Sequence, residues 1–210
     1  MQMVPIELTG ILLAGGKSRR LGRDKAVERI GNDRIIDRAI QRLAGITTSQ
    51  TVVVDRLERI EELDIENKIH YVVDSYSEAG SLGGLFSGLS ESPTPWSFVA
   101  ACDMPFLSTA LIKFMMTKIS DPSPDVVIPK FEGRLQTTHA LYNKSCLEHI
   151  ETRLKAGLLK MDGYFPKITV CQISENEFLN IEGSEDSFFN VNTPEDLLTA
   201  LQMGKDFNGD

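Results

Sequence analysis

Short apolar runs alternate with amphipathic stretches over the first hundred residues, which is the pattern of βαβ units around a parallel sheet. Residues 11–14 (ILLA) read as a buried strand that runs straight into a loop holding Gly15, Gly16 and Gly22. Ile35, Ile36, Ala39, Ile40 and Leu43 recur at helical spacing, and Gly45 closes that helix. Residues 51–54 and 69–73 predict the next two strands, with a short charged helix over 57–63 between them, and residues 98–101 a fourth. The spacing predicts a helix over 82–89, although each of its three glycines costs about 1 kcal/mol in a helix interior.

The second half is less regular. Ser108 predicts the N-cap of a helix over 110–119, and residues 126–128 and 139–142 predict strands around a turn at Gly133. A helix over 145–156 stops at Gly157, residues 168–173 form a late strand, and Thr193-Pro194-Glu195-Asp196 starts a last helix. With no repeat, low-complexity tract or linker, residues 1–210 read as a single α/β domain, doubly wound and mostly parallel, with helices on both faces.

The 22 basic and 30 acidic side chains give a formal net charge of −8, which argues against broad affinity for nucleic acid or anionic membranes. Three widely spaced cysteines, Cys102, Cys146 and Cys171, form no Cys-x-x-Cys pair and suit a reducing compartment. The apolar runs are too short to span a bilayer, and the first ten residues lack the basic and apolar regions of a signal peptide. A cytoplasmic protein is expected, without membrane or nucleic-acid partners.

The chemistry concentrates in LAGGKSRRLGRDK, residues 13–25. Glycines just after a strand let the backbone turn sharply and bring its amides close to a ligand. Lys17, Arg19, Arg20, Arg23 and Lys25 face a single anion, Asp24, a local +4 in a chain of −8. Bare amides and clustered cations at a strand end suit a polyphosphate. The loop is not a Walker P-loop, because Ile11 stands where that motif needs glycine, and adjacent Gly15 and Gly16 do not make G-x-G-x-x-G. Asp55, Asp74 and Asp103 each follow a predicted strand, so all three face the crevice outside the strand ends. Asp103 is the best candidate metal ligand, since magnesium favours one or two carboxylates plus phosphate oxygens. His70, His139 and His149 are scattered and read as structural or surface residues.

LAGGKSRRLGRDKA resembles the signature of nucleotidyltransferases that activate a phosphate or sugar phosphate with a nucleoside triphosphate. VVDSYSEAGSLGGL, ACDMPFL and FFNVNTPEDL resemble the molybdenum cofactor guanylyltransferase family, over residues 8 to 202. The resemblance implies a nucleotidyltransferase domain of Rossmann-like fold, with nucleotide in its N-terminal half and acceptor in its C-terminal half. It implies transfer of GMP from GTP to the terminal phosphate of molybdopterin, with Mg²⁺ as cofactor and release of pyrophosphate. Transient contact with molybdoenzymes or cofactor-insertion proteins would follow. By the same resemblance Leu13, Ala14 and Gly15 contact the nucleotide, Lys25 reaches its phosphates, Asp74 is a further nucleotide contact and Asp103 binds Mg²⁺. Arg20 matches the loop arginine and, with Lys17, meets charge on the triphosphate. Gly83 and Gly84 let the backbone approach guanine, and Asn190 and Asn192 belong to the pterin side. Asp55 stands where the family usually has asparagine and can bond ribose hydroxyls, and GSLGGL replaces a Gly-Pro-Leu start. A cytidylyl- or sugar-phosphate nucleotidylyltransferase, and a carrier of nucleotide or pterin without chemistry, stay open as alternatives.

Overall fold

The computed structural model describes residues 6–15, 24–65, 69–119 and 122–206. Along the chain run β1 (Leu8–Leu13), β2 (Arg29–Ile30), β3 (Asp33–Arg34), α1 (Ile35–Ala44), β4 (Ser49–Val54), α2 (Glu58–Leu63), β5 (His70–Val73), α3 (Ser81–Glu91) and β6 (Trp96–Ala101). There follow α4 (Thr109–Met116), β7 (Val126–Phe131), β8 (Arg134–Leu135), β9 (His139–Asn143), α5 (Leu147–Lys155), β10 (Val170–Ile173), α6 (Glu175–Phe178) and α7 (Pro194–Asp206).

The main sheet has the order β10-β7-β9-β6-β1-β4-β5, with β8 beside β7. β1 lies at its centre, buried at every position, and pairs parallel with β4 (Leu13 beside Val53) and with β6 (Leu13 beside Ala101). β5 runs parallel to β4, while β9 is antiparallel to both β6 and β7. The chain therefore lays β4 and β5 outward on one side of β1, then crosses back to place β6 on the other side. Such a reversal opens a crevice at the carboxyl ends of the two strands it separates, here β1 and β6.

Alternation along the strands divides the core between the two faces of the sheet. Leu12, Val52, Val54 and Phe98 pack with Ile36, Ile40 and Leu43 of α1 and Leu111 and Met115 of α4. Ile11, Leu13, Val53 and Val99 pack with Leu82, Leu85 and Leu89 of α3 and Ile150 of α5. The glycine-rich helix forms because tertiary packing outweighs propensity. A Cβ at Gly88 would lie 2.8 Å from Ile11 Cγ2 and 3.0 Å from Val53 Cγ2, so only glycine lets α3 rest this close to β1 and β4.

Most predicted elements appear with shifted ends. Ser108 does cap α4, accepting a hydrogen bond from the Leu111 N–H at 3.2 Å, but the helix ends at Met116 rather than residue 119. α5 starts at Leu147 because residues 144–146 form a separate 3₁₀ turn. The two-residue strands β2 and β3 and the one-turn α6 are too short to leave a periodic pattern. β2 and β3 matter nonetheless, because Ile30 packs with Val191, Leu197 and Ala200 and thereby brings the start of α7 back to the end of β6. Cys102 and Cys146 are buried, Cys171 is half-buried, and all three are free thiols. No helix among the described residues is long and apolar enough to cross a membrane.

Candidate active site

The hydrogen-bonding of the sheet continues one step past its strands and fixes the floor of the crevice. Ala14 N–H donates to Val53 O at 2.8 Å, Cys102 N–H to Leu13 O at 3.1 Å, and Asp74 N–H to Val54 O at 2.8 Å. The residue that follows each strand is thus placed by backbone, before any side chain acts. A Cβ at Gly15 would stand 3.1 Å from Asp55 N and 3.3 Å from Asp55 Cβ, so glycine lets the chain at residue 15 pass close to the end of β4. Asp74 is tied toward α3: its Oδ1 accepts from Tyr76 N–H at 2.8 Å and from Ser87 Oγ at 2.8 Å.

Across from these lies Asp103, only 5% exposed. Its backbone oxygen accepts the Val191 N–H at 3.0 Å, which locks the end of β6 to the segment before α7. Lys25 Nζ pairs with Asp103 Oδ2 and also donates to Asn192 Oδ1 at 3.2 Å. The Asn192 and Thr193 N–H groups donate to Asp196 Oδ2 at 2.9 and 2.8 Å. Burial works against the Asp196 carboxylate, but these amides prevail and hold its pKa below the usual range.

Together these elements border a cleft of about 1030 Å³. Of the predicted residues, Leu13, Ala14, Gly15, Lys25, Asp55, Asp74, Asp103, Asn190 and Asn192 all line it. The Asn192 amide oxygen takes a hydrogen bond from the same ammonium that pairs with Asp103, so the segment before α7 reaches the Lys25–Asp103 pair. Of the two glycines expected near the base, Gly84 borders the cleft and Gly83 is not a lining residue. A Cβ at Gly83 would fall 2.5 Å from Tyr76 O and 2.9 Å from Asp74 Oδ2, so Gly83 makes room for the Asp74 turn from behind. Lys17 and Arg20, with Gly16, lie outside the described residues.

Four lining side chains carry no signal in the sequence pattern: Arg56, Arg59, Glu78 and Thr138. Arg59 belongs to the stretch 57–63 that reads only as a charged helix, and Arg56 precedes it, yet Arg59 is 7% exposed and grips Asp24. The Arg59 guanidinium holds the Asp24 carboxyl below the usual carboxylate range, and Asp24 in turn holds Arg59 firmly protonated. Burial pushes the Cys102 thiol up to about 12, so the one cysteine in the cleft is no thiolate nucleophile.

Asp103 Oδ1 is buried and accepts no hydrogen bond. Among the described residues no group of three or more His, Cys, Asp or Glu forms a metal cage. A single carboxylate with a spare oxygen fits a hard cation that takes its remaining ligands from phosphate and water.

Doubly wound strands, a glycine loop at the switch point and a cleft with a lysine–aspartate pair define a nucleotide-handling α/β protein. A family model described as a MobA-like NTP transferase domain matches residues 10–162. A probable molybdenum cofactor guanylyltransferase from Pelotomaculum thermopropionicum is 33% identical over 200 residues, covering 95% of each chain. A molybdenum cofactor guanylyltransferase from Desulfosudis oleivorans is 33% identical over 195 residues, covering 92% of this chain and 94% of that one. The solved structure of molybdopterin-guanine dinucleotide biosynthesis protein A from Archaeoglobus fulgidus superposes with a TM-score of 0.83 at 22% identity, over 94% of this chain and 99% of that one. A 4-diphosphocytidyl-2C-methyl-D-erythritol synthase from Anaerococcus prevotii shares the fold with a TM-score of 0.70 at 14% identity, over 96% of this chain and 97% of that one. The chain belongs to the MobA-like NTP transferase family, and it is a nucleotidyltransferase.

Proposed function

We propose that this chain transfers GMP from GTP to the terminal phosphate of molybdopterin and releases pyrophosphate. The observation that carries the reading is the meeting of Lys25 with Asp103 inside a cleft whose floor includes the backbone of residues 13–15. The names of the relatives supply the substrates.

The acceptor phosphate is already anionic and needs no serine, cysteine or histidine to activate it. The difficulty is to bring two anions together and to stabilise charge on the departing pyrophosphate, which is a matter of position and electrostatics. Asp103 would hold Mg²⁺, which when bound neutralises charge on the triphosphate. Lys25 places its ammonium against the phosphates, and Lys17 and Arg20 add their charge from the same loop. The backbone at Leu13, Ala14 and Gly15 receives the nucleotide, with Asp55 toward its ribose and Asp74 as a further contact. Gly84 brings the start of α3 up to the base, and Gly83 makes room behind it for the Asp74 turn. Asn190 and Asn192 face the acceptor, which assigns the nucleotide to the first half of the domain and the acceptor to the second.

The test is pyrophosphate release on mixing the protein with GTP, Mg²⁺ and molybdopterin, together with competition among GTP, CTP and UTP. Release that needs all three components, with GTP the preferred nucleotide, is expected. A clear preference for CTP overturns the guanylyl assignment, and binding without release under any acceptor makes the protein a carrier.

A further inference from the structure

We propose that Arg59 of α2 is a positioning residue for the transfer site: by gripping Asp24 it sets the place from which Lys25 reaches Asp103. The proposal rests on the function assigned above. Arg59 borders the cleft, but both of its terminal nitrogens are already engaged by carboxylates. Nη2 donates to Asp24 Oδ1 at 2.7 Å, and Nη1 to Asp24 Oδ2 and to Glu62 Oε2 at 3.2 Å. A two-pronged Arg–carboxylate pair fixes direction as well as distance.

Asp24 passes this constraint on. Its Oδ1 also accepts the Ala26 N–H at 3.1 Å, and its backbone oxygen accepts the Val27 N–H at 3.3 Å. Ala26 is fully buried, and its backbone oxygen accepts the Ile36 N–H at 3.1 Å. Lys25 therefore projects from between two fixed neighbours, one held by α2 and the other by the start of α1. The arrangement also accounts for an acid at the edge of a site built for a polyanion. Neutralised by Arg59, Asp24 serves as an attachment point with little repulsion toward phosphate.

The experiment compares wild type with R59Q, R59K, D24N and the double variant R59Q/D24N in guanylyl transfer and in equilibrium GTP binding, with thermal melting on each. R59Q and D24N are expected to lose about 10- to 100-fold in kcat/KM, as small displacements of catalytic groups do. The double variant should be no worse than the poorer single one, and R59K, which keeps the charge but not the fork, should stay impaired. If charge alone mattered, D24N would bind GTP more tightly and transfer normally, and that result overturns the proposal. So do losses that multiply in the double variant, or losses that disappear once the folded fraction is counted. Wild-type protein that transfers no GMP refutes the assigned function instead. The clamp is then decided by melting, where non-additive shifts in the double variant support it and additive shifts overturn it.

Discussion

Lys25 and Asp103 lie 78 positions apart in the chain and meet as an ion pair in the cleft, where the same ammonium also donates to Asn192 at 3.2 Å. Three segments converge there: the loop after β1, the turn after β6 and the start of α7. None of them is near another in sequence, and the reversal of strand order is what brings the first two side by side. The pair therefore reports on the whole topology, and a change at either member tests fold and function separately.

Lys25→Ala and Asp103→Asn should each lower transfer by about 10²–10³-fold or more, as loss of one preorganised electrostatic group does elsewhere. Stability should respond unequally. Lys25→Ala leaves a second buried oxygen of Asp103 without a donor, beside the one that already lacks a partner, and should cost about 1–3 kcal/mol. Asp103→Asn removes the charge and should cost less. Transfer assays and urea melts on both proteins measure the two effects, and wild-type rates in either variant would falsify the site assignment.

Two glycines of α3 separate packing from function. Gly83→Ala puts a methyl 2.5 Å from Tyr76 O and 2.9 Å from Asp74 Oδ2, so the Asp74 turn must shift. Its main effect should be weaker GTP binding, seen as a raised Kd. Gly88→Ala drives a methyl into Ile11 and Val53 at 2.8 and 3.0 Å, on the buried face of the helix. That overpacking should cost about 1–3 kcal/mol while leaving transfer per folded molecule intact. Calorimetry and titration of both variants should give opposite rankings; equal loss of binding in the two would remove the distinction.

The sheet was legible because its strands are continuous apolar runs and its helices carry strong periodicity, as in α1. The acids after β4, β5 and β6 were legible for the same reason, since a strand end fixes the residue that follows it. Contacts between side chains of distant elements were not. Nothing in residues 56–63 tells that Arg59 turns inward onto Asp24 while Arg56 stays half exposed at the cleft edge and pairs with Glu62. The resemblance names Gly83 and Gly84 together because it assigns a segment, whereas helix rotation decides that Gly84 is the one bordering the cleft. The β2–β3 hairpin escaped because two-residue strands have no period to detect.

Asp196 offers a test of coupling through backbone. Its carboxylate collects the Asn192 and Thr193 N–H groups, and Thr193 Oγ1 accepts the Asp196 N–H at 3.1 Å. Asp196→Ala should cost about 1 kcal/mol, the usual worth of a helix cap. It should also lower transfer several-fold, because Asn192 Oδ1 loses its fixed position opposite Lys25. A matched loss of stability at Ser108, the cap of α4, provides the control: Ser108→Ala should leave transfer per folded molecule unchanged. Equal activity losses in the two variants would show that stability alone was responsible.

His139 offers a test of how burial couples stability to pH. The ring is fully buried, with Nε2 2.6 Å from Ser187 Oγ and its faces and edges against Phe98 and Phe188. Burial disfavours the charged ring and lowers its pKa from 6.5 to about 4. Above pH 6.5 the ring is neutral in both folded and unfolded chains and contributes no pH dependence. Between about 6.5 and 4 the unfolded chain takes up a proton that the folded one refuses, so stability falls as pH falls, by up to about 3 kcal/mol. The Asp24 carboxylate acts in a lower window: its folded pKa lies below 3.8, so its contribution is intact above that value and is lost on further acidification. Urea melts of wild type and His139→Gln at pH 7.5, 6.5, 5.5 and 4.5 probe the histidine window, which lies above that of Asp24. The variant, with no imidazole to protonate, should be less stable at pH 7.5 yet lose little between 6.5 and 4.5. Parallel curves for the two proteins across that interval would assign the acid sensitivity to other groups.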